Sequence, residues 1–234
     1  MAARAPYQGT IPDAPSMPAN QNCALWIEGF PPNITAHEIL RRIVGVGKIY
    51  KLSISKPKPE DRHRTCGLKL VFWKEDDVER FLTLYIRRQF FFPGFVLEIN
   101  ENRHQVARQI ECDNSRVLHI TGPSELVNYA TLLRILKDNL YFETDEVITH
   151  SPADSNYGWL EWRFSSYLGE ASNARRVLDR ALEGKYIAGL RGSEAQQLRH
   201  VVTFWGADPC ERDYEASRQR VENTMAASAA WLFH

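Results

Sequence analysis

Two rings and a group of cations hold most of the chemistry this chain offers. Trp26 stands second in Leu25-Trp26-Ile27-Glu28-Gly29-Phe30, and His119 stands second in a later stretch of the same outline, Leu118-His119-Ile120-Thr121-Gly122-Pro123. Apolar residues on either side of each ring give the alternation of a strand, so the Leu and Ile face a core and the ring faces the opposite side of a sheet. A ring held there can stack on a flat ligand or pack beneath another part of the chain. The cations are Lys51, Lys56, Lys58, Arg62, Arg64, Lys69 and Arg103. Those in the loop 56–64, which Pro57 and Pro59 stiffen, suit phosphate oxygens, and equally suit a solvated loop.

Other chemistries lack their signatures. His63, His104, His150 and His200 show no ligand spacing, and Cys23, Cys66, Cys112 and Cys210 contain no C-x-x-C pair. The sequence therefore predicts no metal site, and thiols that are mostly buried and reduced. It has no G-x-S-x-G elbow, no H-E-x-x-H and no glycine-rich phosphate loop, so neither an enzyme nor a cofactor is expected.

The elements that must position the rings follow from periodicity. After the strand through Phe30, Thr35 and Glu38 form a capping box for a helix containing Ile39, Leu40, Ile43 and Val44 that stops near Gly45 and Gly47. Strands are predicted over 48–55 and 67–73, the second with Leu68, Leu70 and Phe72 on one face and Gly67, Lys69 and Val71 on the other. A helix over 75–88 and a strand over 95–100 complete a βαββαβ order. The same order starts again: strand 117–121, helix 126–140, strands 142–149 and 157–165 around a turn at 151–156, helix 170–182, strand 201–205. Residues 183–198 have no clear period, with room for a short hairpin near Tyr186 and Ile187. A last helix over 211–234 carries Tyr214, Val221, Met225 and Leu232 as a broken apolar stripe, expected to dock on the chain's own sheet.

The expected organisation is thus a disordered tail over 1–21, rich in Ala and Pro, a first domain over 22–103, a linker over 104–114, a second domain over 115–209 and a helical extension over 210–234. Composition is that of an ordinary globular protein, 44% hydrophobic and 25% charged. With no apolar leader and no run of about 18 apolar residues, no membrane segment is expected and an intracellular location follows, nuclear or cytoplasmic. The net charge of zero hides an asymmetry: 14 Lys and Arg against 10 Asp and Glu over 22–103, but 10 against 12 over 115–209. A polyanion would find its attraction in the first half.

Two βαββαβ units with a ring second in each first strand resemble tandem RNA recognition motifs across residues 22–209, most nearly the two-repeat proteins of that family in filamentous fungi. The resemblance implies an α+β fold of two ferredoxin-like domains, each a four-stranded antiparallel sheet with two helices on one face. It implies single-stranded RNA as the partner on the other face. In that family one stacking ring comes from the first strand, and two more come from the third and fifth positions of a box on the third strand. Trp26 matches the first. With Phe72 aligned at the end of the longer box, Gly67 and Lys69 occupy the two ring positions. In the second domain His119 takes the first-strand position; Phe164 at the box end puts Trp159 third and Glu161 fifth, a carboxylate that would repel phosphate.

Stacking on an aromatic is worth about 1–3 kcal/mol per base, so losing two rings of three weakens binding substantially. The resemblance then implies binding mainly through the first domain. Trp26 would stack a base, Lys51, Lys56, Lys58, Arg62, Arg64 and Lys69 would hold phosphates, Arg103 would reach the exiting backbone, and His119, Trp159 and Arg163 would contribute less. An alternative comes from splicing-factor variants of this fold, in which an Arg-x-Phe between the second helix and fourth strand holds a tryptophan-bearing peptide. Arg88-Gln89-Phe90 matches that triplet. Under this reading a protein partner, or self-association through a sheet face or the last helix, replaces RNA.

Overall fold

The computed structural model describes Pro18 and residues 21–58, 64–150 and 156–232, with the side chains of 226–232 left aside. The tail expected over 1–21 lies almost wholly outside the described residues, as do Arg62, His63 and most of the turn at 151–156. The chain folds as two successive βαββαβ units. The first contains β1 (Ala24–Phe30), α1 (Ala36–Leu40), β2 (Ile49–Ser55), β3 (Cys66–Phe72), α2 (Glu75–Ile86) and β4 (Glu98–Glu101). The second contains β5 (Val117–Pro123), α3 (Tyr129–Lys137), β6 (Thr144–Thr149), β7 (Tyr157–Phe164), α4 (Ser172–Leu182), α5 (Gly192–Gln197) and β8 (Val202–Trp205), and α6 (Tyr214–Leu232) follows. The sheets run β2-β3-β1-β4 and β6-β7-β5-β8, antiparallel throughout, so the strand that carries each ring is central.

Strand alternation sorts the side chains as expected. Leu25 and Ile27 join Leu68, Leu70 and Phe72 in one core with Ile39 and Phe81 of the helices, while Leu118, Ile120, Leu160 and Trp162 do the same with Leu132, Ile135 and Leu178. The helices lie on that core face. The opposite faces are what function must use.

Several boundaries differ from expectation for local reasons. The Thr35–Glu38 capping box forms, but α1 ends at Leu40 because Arg42 and Ile43 turn back to the Ile39 and Leu40 carbonyls in tighter turns; Ile43 is buried and Val44 exposed. The fourth strand begins at Glu98 rather than Phe95, since the Phe95 N–H closes a tight turn on the Phe92 carbonyl. In the second unit Asn128 caps α3, leaving Leu126 and Val127 in a buried turn anchored to the Pro123 carbonyl. The stretch without a period forms no hairpin strand at Tyr186; it holds α5, a single helical turn at Leu198–His200, and buried Ile187 and Leu198.

The two units meet along the β2 edge. The Ser166 hydroxyl accepts the Leu52 N–H (2.9 Å) and donates to the Leu52 carbonyl (3.0 Å), and Asp208 accepts the Ile49 N–H (2.8 Å). The Cys210 carbonyl accepts from Val46 and Gly47, and its thiol is buried in the first core. Arg116, fully buried, donates to Asp208 (2.9 Å) and Asp145 (2.7 Å), and Asp145 also meets His37 of α1 at 2.8 Å. A sheet edge that would offer bare N–H and C=O groups is thereby satisfied within the chain.

Candidate nucleic-acid interface

Trp26 lies on the outer face of the first sheet, opposite Lys69 of β3 and Asn100 of β4. Its indole N–H donates to Glu28 Oε1 at 2.9 Å, and the ring extends over Gly67. A Cβ built at Gly67 would stand 2.5 Å from Cζ2 and 2.9 Å from Cη2 of the indole. Gly67 is therefore the seat of the ring rather than simply a missing aromatic. The indole is half-buried, with one face against the sheet. Beside it runs a shallow groove whose walls include Ser55, Lys56, Thr65 and Glu98.

The cations lie to one side. Lys51 and Lys69 are half-buried on β2 and β3, and burial, reinforced by the charge of Lys51, lowers the Lys69 pKa. The Lys69 ammonium reaches the His104 carbonyl at 3.5 Å. Lys56, Lys58, Arg64 and Arg103 are exposed. Glu98 of β4 and Glu28 of β1, paired with each other, are exposed on the opposite flank, so this face is basic along β2 and β3 and acidic toward β4.

The upper end of this face is closed. Ala24 and Val71 are buried beneath Tyr50 and Val106, and the linker is tied on by the Cys23 N–H to the Val106 carbonyl (2.8 Å) and the Trp73 indole N–H to the Ile110 carbonyl (3.0 Å). Polar composition made 104–114 look like a free connector. Its backbone instead pairs with the sheet, and Val106 supplies the cover.

The second sheet arranges its equivalents differently. His119 is 4% exposed, and its Nδ1 accepts the Trp159 indole N–H at 3.2 Å. His150, just beyond β6, stacks on Trp159 with centroids 4.4 Å apart. Glu161 is 5% exposed, accepting from Arg163 Nε at 2.5 Å and lying 3.2 Å from His150 Nε2. Arg163 also meets Glu146 (2.6 Å) and donates to the Tyr214 hydroxyl (3.2 Å) at the start of α6. Burial pushes the His119 pKa down to about 4. Burial opposes ionisation of Glu161 as well, but Arg163 outweighs it and the carboxyl lies below its usual range.

Two expectations need correction here. His119 is not presented on an open face, because Trp159 leans across to bond it. Glu161 is not a bare carboxylate facing phosphate, because Arg163 and His150 hold it. The stripe on α6 docks as expected for Tyr214, Val221 and Met225, which are buried or half-buried; the side chain of Leu232 lies outside the described set.

The Arg-x-Phe triplet is also placed. Arg88 is exposed with a positive φ of 56°, while Phe90 is 1% exposed, packed among Phe30, Phe81 and Phe92. Phe90 serves the first core, so removing it alters folding before any recognition. Arg62 lies outside the described residues.

No protein-family model and no curated protein matches the chain. Similar solved structures include the first two RRM domains of yeast poly(U) binding protein Pub1, 16% identical over 79% of this chain and 99% of that one, TM-score 0.29. The Sex-lethal RNA recognition domains 1 and 2 from Drosophila melanogaster are 14% identical over 68% and 94%, TM-score 0.26. The RNA binding domain of Hrp1 in complex with RNA is 17% identical over 80% and 97%, TM-score 0.26. These are similarities of fold. The strand order found here, twice over, is that of two ferredoxin-like βαββαβ domains in tandem.

Proposed function

We propose that this chain binds single-stranded RNA weakly to moderately through the open half of its first sheet. The observation that carries the reading is Trp26: a half-buried indole laid on Gly67, with Lys51 and Lys69 on the neighbouring strands. One base stacks on the indole. Phosphates run along β2 and β3, held by Lys51 and Lys69 and by Lys56, Lys58 and Arg64 of the adjoining loop, while Arg103 takes the backbone as it leaves the sheet. With a single ring and several cations, such a surface favours the polyanion over any one sequence. In the second domain His119, Trp159 and Arg163 serve one another and α6, so that domain acts as scaffold.

Labelled random-sequence RNA, titrated with wild type and Trp26→Ala at two salt concentrations, tests this. A loss of about 1–3 kcal/mol in the variant is expected, with affinity falling as salt rises. Equal affinities for the two proteins, or no binding by the wild type at micromolar protein, would overturn it.

A further inference from the structure

The cluster on the second sheet holds chemistry that the RNA reading leaves unused. His119 on β5, His150 at the end of β6 and Glu161 on β7 come from three neighbouring strands, and one donor atom from each lies within 4.8 Å of the others. We propose that these three side chains form a binding site for a divalent metal of the zinc type, with a fourth position open to solvent.

The spacing suits the chemistry. Zinc bonds to imidazole nitrogen and carboxylate oxygen are about 2.0–2.1 Å, so two ligands at a tetrahedral centre stand about 3.3 Å apart. His150 Nε2 and Glu161 Oε2 already stand 3.2 Å apart. A cation between them requires no movement of the backbone. The third donor is close at hand: a ring nitrogen of His119 lies within 4.8 Å of the other two donor atoms, and its Nδ1 now accepts from the Trp159 indole, whose ring is stacked on His150. A metal at Nδ1 would take the place of this 3.2 Å hydrogen bond.

The surroundings fit as well. The other Glu161 oxygen is held by Arg163, itself fixed by Glu146 and Tyr214, which is the outer-shell support that orients a ligating carboxylate. Within that network two carboxylates, Glu161 and Glu146, face the one guanidinium of Arg163, so a further cation meets acidic partners there. The His150 side chain is 30% exposed and supplies the entry path. All three ligands sit in or against paired strands, His150 through its N–H to the Trp159 carbonyl at 2.9 Å, so the donors are preorganised.

The test is a Zn²⁺ titration of the full chain after exhaustive chelation, followed by calorimetry and tryptophan fluorescence, with Co²⁺ as a spectroscopic substitute. One equivalent is expected to bind at micromolar metal, with a change in indole emission and the visible absorption of four-coordinate Co²⁺. His150→Ala, at a partly exposed position and with its fold checked by circular dichroism, should weaken binding by at least about tenfold. Cys112→Ser, an exposed thiol elsewhere, should leave it unchanged. Absence of saturable binding, or His150→Ala binding as tightly as wild type, would sink the proposal. The RNA reading is untouched by either result, because its residues lie on the other sheet.

Discussion

The two sheets are built alike and finished differently, and two positions on each third strand decide the difference. Trp26 pairs with Lys69 and His119 pairs with Glu161 at the same place in the two registers. Two residues before those partners stand Gly67 and Trp159. Glycine leaves a floor on which the indole lies down, so the first ring is seated and still reachable. Tryptophan reaches across to bond the second ring, Glu161 ties in Arg163, and Arg163 ties in Tyr214 of α6, so the second face is locked. A vacancy keeps one face available, and a network closes the other.

The largest way to break this contrast is to cut the network. Glu161→Ala removes the main partner of a largely buried Arg163, which keeps only the more exposed Glu146 and Tyr214. Breaking a buried pair by removing one partner costs about 3–5 kcal/mol, and the remaining partners place this case at about 3 kcal/mol. Urea unfolding should show that loss, while RNA affinity at temperatures where the chain stays folded should be unchanged. The matched variant on the first sheet, Lys69→Ala, should do the reverse: little stability lost, some affinity lost. If Glu161→Ala weakened RNA binding more than Lys69→Ala, the division between an open and a closed sheet would be wrong.

Much of this architecture was legible because it follows from period and caps. Alternation in 25–27 and 68–72 assigns the core face without ambiguity, and the Thr35–Glu38 box marks a helix start from four residues. The closure of the second face was not legible in the same way. It depends on His150 meeting Glu161, residues eleven apart that come together only through the β6-β7 pairing, and on Trp159 reaching His119 across a strand. Ligand spacing along the chain could not show His119, His150 and Glu161 converging, because sheet register rather than sequence separation brings them together. The seat beneath Trp26 was hidden for a related reason: Gly67 reads as an absent ring until the neighbouring strand fills its space. Val106 carried a faint signal, one branched apolar residue in a polar linker.

The junction that fixes the two sheets in one orientation offers a pH test. Ser166, which holds both backbone groups of Leu52, sits beside Glu170, whose carboxylate accepts from the Ser165 hydroxyl and the Ser166 N–H. Burial raises the Glu170 pKa to about 7 from 4.5, with the serine bonds opposing. A carboxyl whose pKa is raised on folding favours the folded state when protonated. Its contribution is complete below pH 4.5 and is lost as pH climbs through 7. With one pKa unit worth about 1.4 kcal/mol and the group in partial contact with solvent, the change should be about 2 kcal/mol. Glu170→Gln should flatten the stability profile across that window. A variant whose profile matched wild type would show that the junction is insensitive to this carboxyl.

A smaller effect, and the sharpest probe of the open face, is Gly67→Ala. The added methyl would come within 2.5 Å of the indole, but the atoms it meets are the far end of a side chain that can swing outward. Folding stability should therefore change by less than about 1 kcal/mol, since the fold does not depend on where this ring lies. RNA binding should suffer more, because the indole loses its floor and must be ordered again by the incoming base, at a cost of about 0.5–1.5 kcal/mol for one immobilised side chain. The salt dependence should stay as in wild type, as every phosphate contact remains, whereas Lys69→Gln should reduce the logarithmic slope by about 0.7 for the one contact removed. Should Gly67→Ala bind as wild type does while Trp26→Ala does not, the ring acts wherever it sits and the glycine floor has no part in recognition. If both bind as wild type, the indole is a structural cover and the first face is as closed to bases as the second.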